Sequence, residues 1–229
     1  MKILVSDNLS ASGIEKLAKV PGFEVEVNTS LTAEEFRRVI KEFDALVIRS
    51  ATRVTSEVLE NAHNLKVIGR AGIGLDNVDI EAASKRGIVV MNTPEGNVIT
   101  TAEHAIAMML ALTRNIPQAS SSLKKGAWEK KRFKGKEVFN KVLGIIGVGR
   151  IGRVVAERAQ GLKMHVIGYD PYINPEVIDS LGIRGVSFDE LLASSDYITI
   201  HTPMTSETRN LLNMDAFRKI VEQVSKKAA

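Results

Sequence analysis

Gly147-Val148-Gly149-Arg150-Ile151-Gly152 stands between an apolar run, Val142 to Ile146, and a stretch of helical periodicity from Arg150 to Gly161. Three glycines at this spacing mean little alone; a strand before them and a helix after them make the pattern specific. Gly147 permits a tight turn, Gly149 lets the backbone approach a pyrophosphate, and Gly152 lets the helix pack closely on its strand. The amides of Arg150 and Ile151 then face the phosphates from a helix N-terminus, where the dipole favours anions. Asp170 closes the next strand-like run, Met164 to Tyr169, where an acid is required to accept from the ribose hydroxyls. Its charge repels a 2′-phosphate, so the expected cofactor is NAD and not NADP. Tyr169 and Pro171 are candidates for an adenine wall or for ordinary core and turn positions.

The rest of the chain repeats the alternation of strand and helix. Ile3-Leu4-Val5, Phe23 to Val27, Ala45 to Ile48, Leu65 to Ile68 and Ile88 to Met91 read as strands. Ser10 to Lys19, Thr32 to Glu42, Thr55 to Ala62 and Val78 to Arg86 read as helices between them. Thr32 and Glu35 have capping-box spacing. This order predicts an α/β chain of parallel sheets. The expected architecture is a flavodoxin-like domain over residues 1–96, then a partial Rossmann-type doubly wound parallel sheet within 97–229.

The linking segment is 97–141. It opens on a helix through Ala102, Ala105, Ile106, Met109, Leu110 and Leu112, apolar nearly all round and therefore expected to be buried between domains or at a subunit contact. Ser120 to Lys141 is polar and basic and reads as an exposed arm. A last helical pattern places Phe217, Ile220, Val221 and Val224 on one face.

Composition narrows the function classes. The absence of cysteine excludes disulfides and thiolate chemistry, and four scattered histidines give no metal-ligand spacing. A net charge of +4 is too small to mark a dedicated nucleic-acid binder. Lys124, Lys125, Lys130, Lys131, Arg132, Lys134 and Lys136 interleave with Trp128 and Phe133, but the plainer reading is a solvated arm, so no nucleic-acid partner is expected. The longest apolar stretch, Ala105 to Thr113, is about half a bilayer span. A cytoplasmic protein without a membrane partner is expected.

Four ordered stretches resemble the D-2-hydroxyacid dehydrogenases, and among them the phosphoglycerate dehydrogenase branch. Lys141 to Gly152 resembles the nucleotide strand–turn–helix, and Gly69 to Asp79 the substrate loop. Asn92-Thr93-Pro94 with Asn97 and Ala102-Glu103-His104 resembles the interdomain crossing. His201 to Thr205 with Glu207-Thr208 resembles the loop beside the nicotinamide ribose. The resemblance implies a substrate domain followed by a nucleotide domain. It implies NAD-dependent oxidation of a phosphorylated hydroxy acid, 3-phospho-D-glycerate, at the start of serine synthesis, and a homodimer joined through the arm.

Such a substrate needs cations and amides. Arg49 and Arg70 each follow a strand, at the carboxyl ends where open α/β sheets bind ligands, and guanidinium suits phosphate. The amides around Ala71-Gly72 are expected to hold the carboxylate, with Ser50 and Asn97 adding hydrogen bonds. Ile73 stands where many members have Thr, so only its backbone is expected at the cofactor. Thr202 and Pro203, and more weakly Thr208, are expected to border the nicotinamide half. His201 is read as lining and His104 as a core or interface histidine.

The resemblance runs out near Val221. The family's catalytic Arg, Glu and His follow later in its pattern, so no catalytic residue is assigned within this chain, and an NAD-binding module without turnover is the alternative function. The nucleotide sheet is expected to hold its first four strands, with its open edge covered by the last helix or by a second copy of the chain.

Overall fold

The computed structural model describes the backbone of residues 1–228 and the side chains of residues 1–222. Two compact units divide the chain, Met1–Asn97 and Val98–Ala229.

The first unit alternates β1 (Lys2–Val5), α1 (Ala11–Ala18), β2 (Glu24–Val27), α2 (Ala33–Val39), β3 (Ala45–Ile48), α3 (Ser56–Asn61), β4 (Val67–Arg70), α4 (Ile80–Lys85) and β5 (Val89–Asn92). All pairings are parallel and the strand order is β2-β1-β3-β4-β5, the flavodoxin-like order. Leu46, Ile48 and Ile68 from the central strands are fully enclosed with Ile40, Phe43 and Leu59. Local chemistry fixes where helices start. Thr32 Oγ1 accepts from the Glu35 amide at 3.3 Å, and the Glu35 carboxylate accepts from the Thr32 amide at 2.8 Å, so the capping box is formed. Asp79 caps α4 through the Ala82 amide at 2.9 Å. The fourth strand begins and ends two residues later than its apolar pattern suggests, so Arg70 is its last residue, paired with Ile48, and not a loop residue beyond it.

The second unit holds α5 (Val98–Thr113), α6 (Ile116–Lys124), β6 (Val142–Ile146), α7 (Arg150–Gly161), β7 (His165–Tyr169), α8 (Pro175–Asp179), β8 (Arg184–Gly185), α9 (Phe188–Ser194), β9 (Tyr197–Ile200) and α10 (Met214–Ala228). Its four parallel strands lie in the order β8-β7-β6-β9, the first four strands of the Rossmann order. One face packs Leu143, Ile145 and Val166 against α5 and α7 through Ala102, Val155, Ala156 and Ala159. The other packs Ile146 and Ile167 against Leu191, Leu192 and Ala216 of α9 and α10.

Two expectations for this unit change, where the arm begins and what the last helix covers, and α5 is buried on one side only within the chain. The α5 helix buries only Val98, Ala102 and Thr113; Met108 and Leu112 are 58% and 71% exposed, because one side alone meets α7 and the sheet. His104 is likewise exposed, which removes it from the core. The arm begins later than its polarity suggests, since Ser120 to Lys124 belong to α6, a helix started by Asn115 in the left-handed region and by Pro117 in its first turn. The last helix covers a face and not the sheet edge: Lys219 Nζ meets Asp189 of α9 at 2.5 Å and Ile220 joins the α9 cluster. Phe217 and Val221 of that helix are exposed, and the Val224 side chain lies outside the described residues. Among the described residues β9 has no strand on its outer side. No helix among them is long and apolar enough to cross a membrane.

Candidate functional site

In the second unit the glycine turn, the acid after β7 and the loop after β9 meet at the carboxyl ends of the strands. Gly147 has φ +92°, and a Cβ there would lie 2.6 Å from the His201 carbonyl oxygen and 2.9 Å from Thr202 Cγ2. The turn is therefore pressed against the start of the 201–208 loop, at the switch point between β6 and β9. A Cβ on Gly152 would run into the Gly147 carbonyl oxygen, so the helix starts hard against the turn. Nothing lies within 4 Å of a Cβ placed on Gly149. The cap of α7 is Gly149 itself, without a side-chain hydrogen bond, so the first amides of the helix, including Arg150 and Ile151, are left for another acceptor.

Asp170 is half-buried, and its carboxylate is aimed by two amides. Val148 N donates to Oδ2 and Tyr172 N donates to Oδ1, each at 3.0 Å. Each oxygen keeps a second lone pair for another donor. The 201–208 loop is stapled from within: the Thr208 hydroxyl donates to the Pro203 carbonyl at 2.6 Å and accepts from the Thr205 amide at 2.8 Å. Thr208 thus shapes the loop, while Thr202 has no such bond among the described residues. The Tyr172 phenol donates to Glu207, and that carboxylate holds the phenol above its ordinary range. Tyr169 is half-buried and packs on Phe188 with ring centroids 5.4 Å apart.

His201 shares a hydrogen bond with Thr199 Oγ1 at 2.9 Å, and burial holds its imidazole below the ordinary range. The folded chain therefore binds this proton less tightly than the unfolded chain. The sign follows: stability from the neutral ring is complete above the ordinary value of about 6.5 and falls as pH drops from there through the folded value. In an NMR titration the His201 ring is expected to titrate below 6.5; a midpoint at or above it would remove this contribution.

In the first unit a second cluster forms where β3 and β4 end. Asp7, buried at the end of β1, accepts from the Arg49 amide at 2.6 Å and from Thr52 Oγ1 at 2.8 Å. Asn77 Nδ2 donates to the carbonyls of Arg49 and Thr52 at 2.8 and 2.6 Å, and Arg70 Nε donates to the Arg49 carbonyl at 3.2 Å. The Arg70 side chain is thereby set against the backbone just after β3, while Arg49 Nη1 donates to the Asn8 carbonyl at 3.2 Å. The Arg70 guanidinium lies over the 72–74 loop, since a Cβ on Gly72 would be 2.6 Å from Nη1. The Ala71 amide donates to Ile48 O at 2.8 Å and the Gly72 amide to Arg70 O at 2.9 Å, so both expected carboxylate donors are engaged. Those of Ile73 and Gly74 have no acceptor among the described residues and are the amides open to a ligand. Ser50 and Asn97 are exposed at the edges of this unit. Sequence reading missed Asp7 and Asn77, which lie in the loops after β1 and β4 and carry no local signal.

The sheet order, the glycine turn and the acid after β7 define a dinucleotide-binding α/β protein, and the residues present fit NAD: a turn a Cβ would fill, open helix amides and a carboxylate already oriented. Residues 106–225 match the model of the "D-isomer specific 2-hydroxyacid dehydrogenase, NAD binding domain". D-3-phosphoglycerate dehydrogenase of Archaeoglobus fulgidus is 50% identical over 224 residues, covering 98% of this chain and 42% of that protein. NAD-dependent formate dehydrogenase of Staphylococcus aureus in complex with NAD superposes with TM-score 0.84 at 30% identity, over 96% of this chain and 70% of that one. D-Lactate dehydrogenase of Aquifex aeolicus, complexed with NAD and lactic acid, gives TM-score 0.86 at 26% identity, over 96% and 66%. The chain belongs to the D-isomer specific 2-hydroxyacid dehydrogenase family, a family of NAD-dependent oxidoreductases. It spans less than half the length of the curated relatives it matches.

Proposed function

We propose that the chain binds NAD and a D-2-hydroxyacid with an anionic tail, 3-phospho-D-glycerate, and serves its oxidation to the 2-keto acid in serine synthesis, in the cytoplasm. The observation that supports the substrate choice is that Arg49 and Arg70 stand at the ends of neighbouring strands, with Arg70 Nε on the Arg49 carbonyl. Two guanidinium groups suit a phosphate better than the uncharged end of lactate. The relative named for 3-phosphoglycerate at 50% identity supports the same choice.

NAD, when bound, accepts the hydride. In the nucleotide unit the amides of Arg150 and Ile151 hold the pyrophosphate, Gly149 gives it room, and Asp170 accepts from the ribose hydroxyls. Ile73 is expected at the cofactor through its backbone alone, and Thr202 and Pro203 border the nicotinamide half. In the first unit Arg49 and Arg70 hold the anionic tail, while the Ile73 and Gly74 amides take the carboxylate, with Ser50 and Asn97 as further donors. Ala71 and Gly72 act by shaping that loop. The exposed apolar residues Met108, Leu112, Ile116, Leu123 and Trp128 support a homodimer formed through α5, α6 and the arm.

A second reading has an observation of its own. At the strand ends of the nucleotide unit His201 is the one imidazole, and burial with a Thr199 partner makes it a poor proton acceptor. Such a chain binds NAD without turnover. The test follows NADH formation from 3-phospho-D-glycerate and from D-lactate, with NADH binding measured by calorimetry. Arg70→Gln is expected to weaken the phosphorylated substrate by about ten- to a hundredfold, the loss of a charge-assisted contact, and to leave D-lactate nearly unchanged. Saturable NADH binding with no turnover of either acid selects the second reading, and equal losses for both acids would overturn the assignment of Arg70 to the phosphate.

A further inference from the structure

We propose that the first unit carries another small-molecule site, separate from the Arg49–Arg70 cluster: a cleft of about 450 Å³ over the carboxyl ends of β1 and β3 that takes a small organic carboxylate with a short apolar body. The topology creates it. From β1 the chain runs to β2 on one side, and it returns to β3 on the other. The loops after β1 and β3 therefore part, and a crevice opens at this switch point, the usual ligand position in an open α/β sheet. Ser6 and Asp7 form its floor, closed by the Ser6–Thr52 hydroxyl contact at 3.0 Å.

The lining sets the chemistry. Leu31, Phe36 and Val58 give one apolar wall. Arg53 also lines the cleft, exposed and with no ion pair or hydrogen bond among the described residues, while Arg37 is held by Glu57 at 3.2 Å. Thr29 and Thr55 also line the cleft, and their hydroxyls have no partner there; Thr55 starts α3 without a side-chain cap bond. Asp7 asks for no cation, because the Arg49 and Thr52 groups already donate to it. One free guanidinium and two free hydroxyls suit one carboxylate. The carboxylates of Asp7 and Glu57 in the same lining disfavour a dianion such as phosphate. Arg49, Arg70, Gly72 and Asn97 contribute nothing to the lining, so the cleft is distinct from the substrate cluster. Asp7 is the wall between them, facing the cleft while holding the Arg49 amide.

The experiment titrates butanoate, and in parallel inorganic phosphate, into the full ¹⁵N-labelled chain and follows backbone amides by NMR. Saturable shifts with butanoate at residues 29–31 and 51–58 are expected. Arg53 is exposed, so Arg53→Gln keeps the fold; it is expected to weaken the response about tenfold, as for the loss of one charge-assisted hydrogen bond. Arg70→Gln is expected to leave it unchanged. Shifts confined to residues 70–74 and lost in Arg70→Gln, phosphate binding as tightly as butanoate at the cleft, or no saturable shift at all would each overturn the proposal.

Discussion

Gly152→Ala is expected to destabilise the second unit by about 3 kcal/mol, at the upper end for forcing one extra carbon into a packed contact, and to abolish NADH binding. The added Cβ meets the Gly147 carbonyl oxygen, which is backbone and has no flexible end to swing away. Either α7 moves off β6, or the turn opens and loses its contact with His201. Two further glycines, one in the helix and one at its cap, provide the controls. Gly161, at its last position, has nothing within 4 Å of a built Cβ, so alanine there is expected to be neutral or to stabilise by about 0.5–1 kcal/mol. Gly149 is equally open, so the fold itself does not need a glycine there. If its small size serves a phosphate, Gly149→Ala keeps the urea midpoint and loses NADH affinity. Urea unfolding with calorimetric titration of all three variants separates the roles. A Gly152→Ala chain as stable as the parent would mean that the helix start is not packed as described. A Gly149→Ala chain that binds NADH normally would remove the phosphate from that turn.

What the sequence made legible was whatever depends on neighbours along the chain. The Thr32–Glu35 box, the strand before Gly147 and the acid after β7 are all local patterns, and each is found where the pattern places it. What escaped reading depends on residues far apart. Asp7 reaches the Arg49 amide across 42 positions, and Asn77 reaches back 28 positions to the Arg49 carbonyl. No spacing rule announces such bonds, yet they hold the backbone at Arg49. The bond from the Ala71 amide to Ile48 was not legible for a similar reason, since it follows from β4 running two residues further than its apolar pattern. Apolarity in α5 did not say which side this chain covers, because a helix that is apolar all round reports every surface it will meet, while one chain supplies only one of them. The α6 helix was missed because Ser120, Ser121 and Ser122 break any apolar stripe, and its start is set instead by Asn115 and Pro117.

Asp170→Ala is expected to weaken NADH by about ten- to a hundredfold, equivalent to about 1.4–2.8 kcal/mol, the range for a charged acceptor losing its donors. The carboxylate has two tasks in the structure, and they separate by substitution. It holds the turn through Val148 N and orders the 170–172 segment through Tyr172 N, and it presents its remaining lone pairs outward. Alanine removes both tasks and therefore also costs stability, about 1 kcal/mol for each partly exposed amide left without its acceptor. Asparagine keeps one acceptor but removes the charge. If the charge is what rejects a 2′-phosphate, Asp170→Asn narrows the gap between NADH and NADPH even though it weakens NADH, because repulsion of the phosphate is lost along with one ribose bond. Calorimetric titration of both cofactors into both variants is the measurement. A falling NADH-to-NADPH affinity ratio in Asp170→Asn, with a loss of stability of about 1 kcal/mol for the one amide left facing the NH2 group, supports Asp170 as the group that selects NAD. An unchanged ratio would mean that the carboxylate only braces the glycine turn, and selection would then lie with other groups around the 170–172 segment.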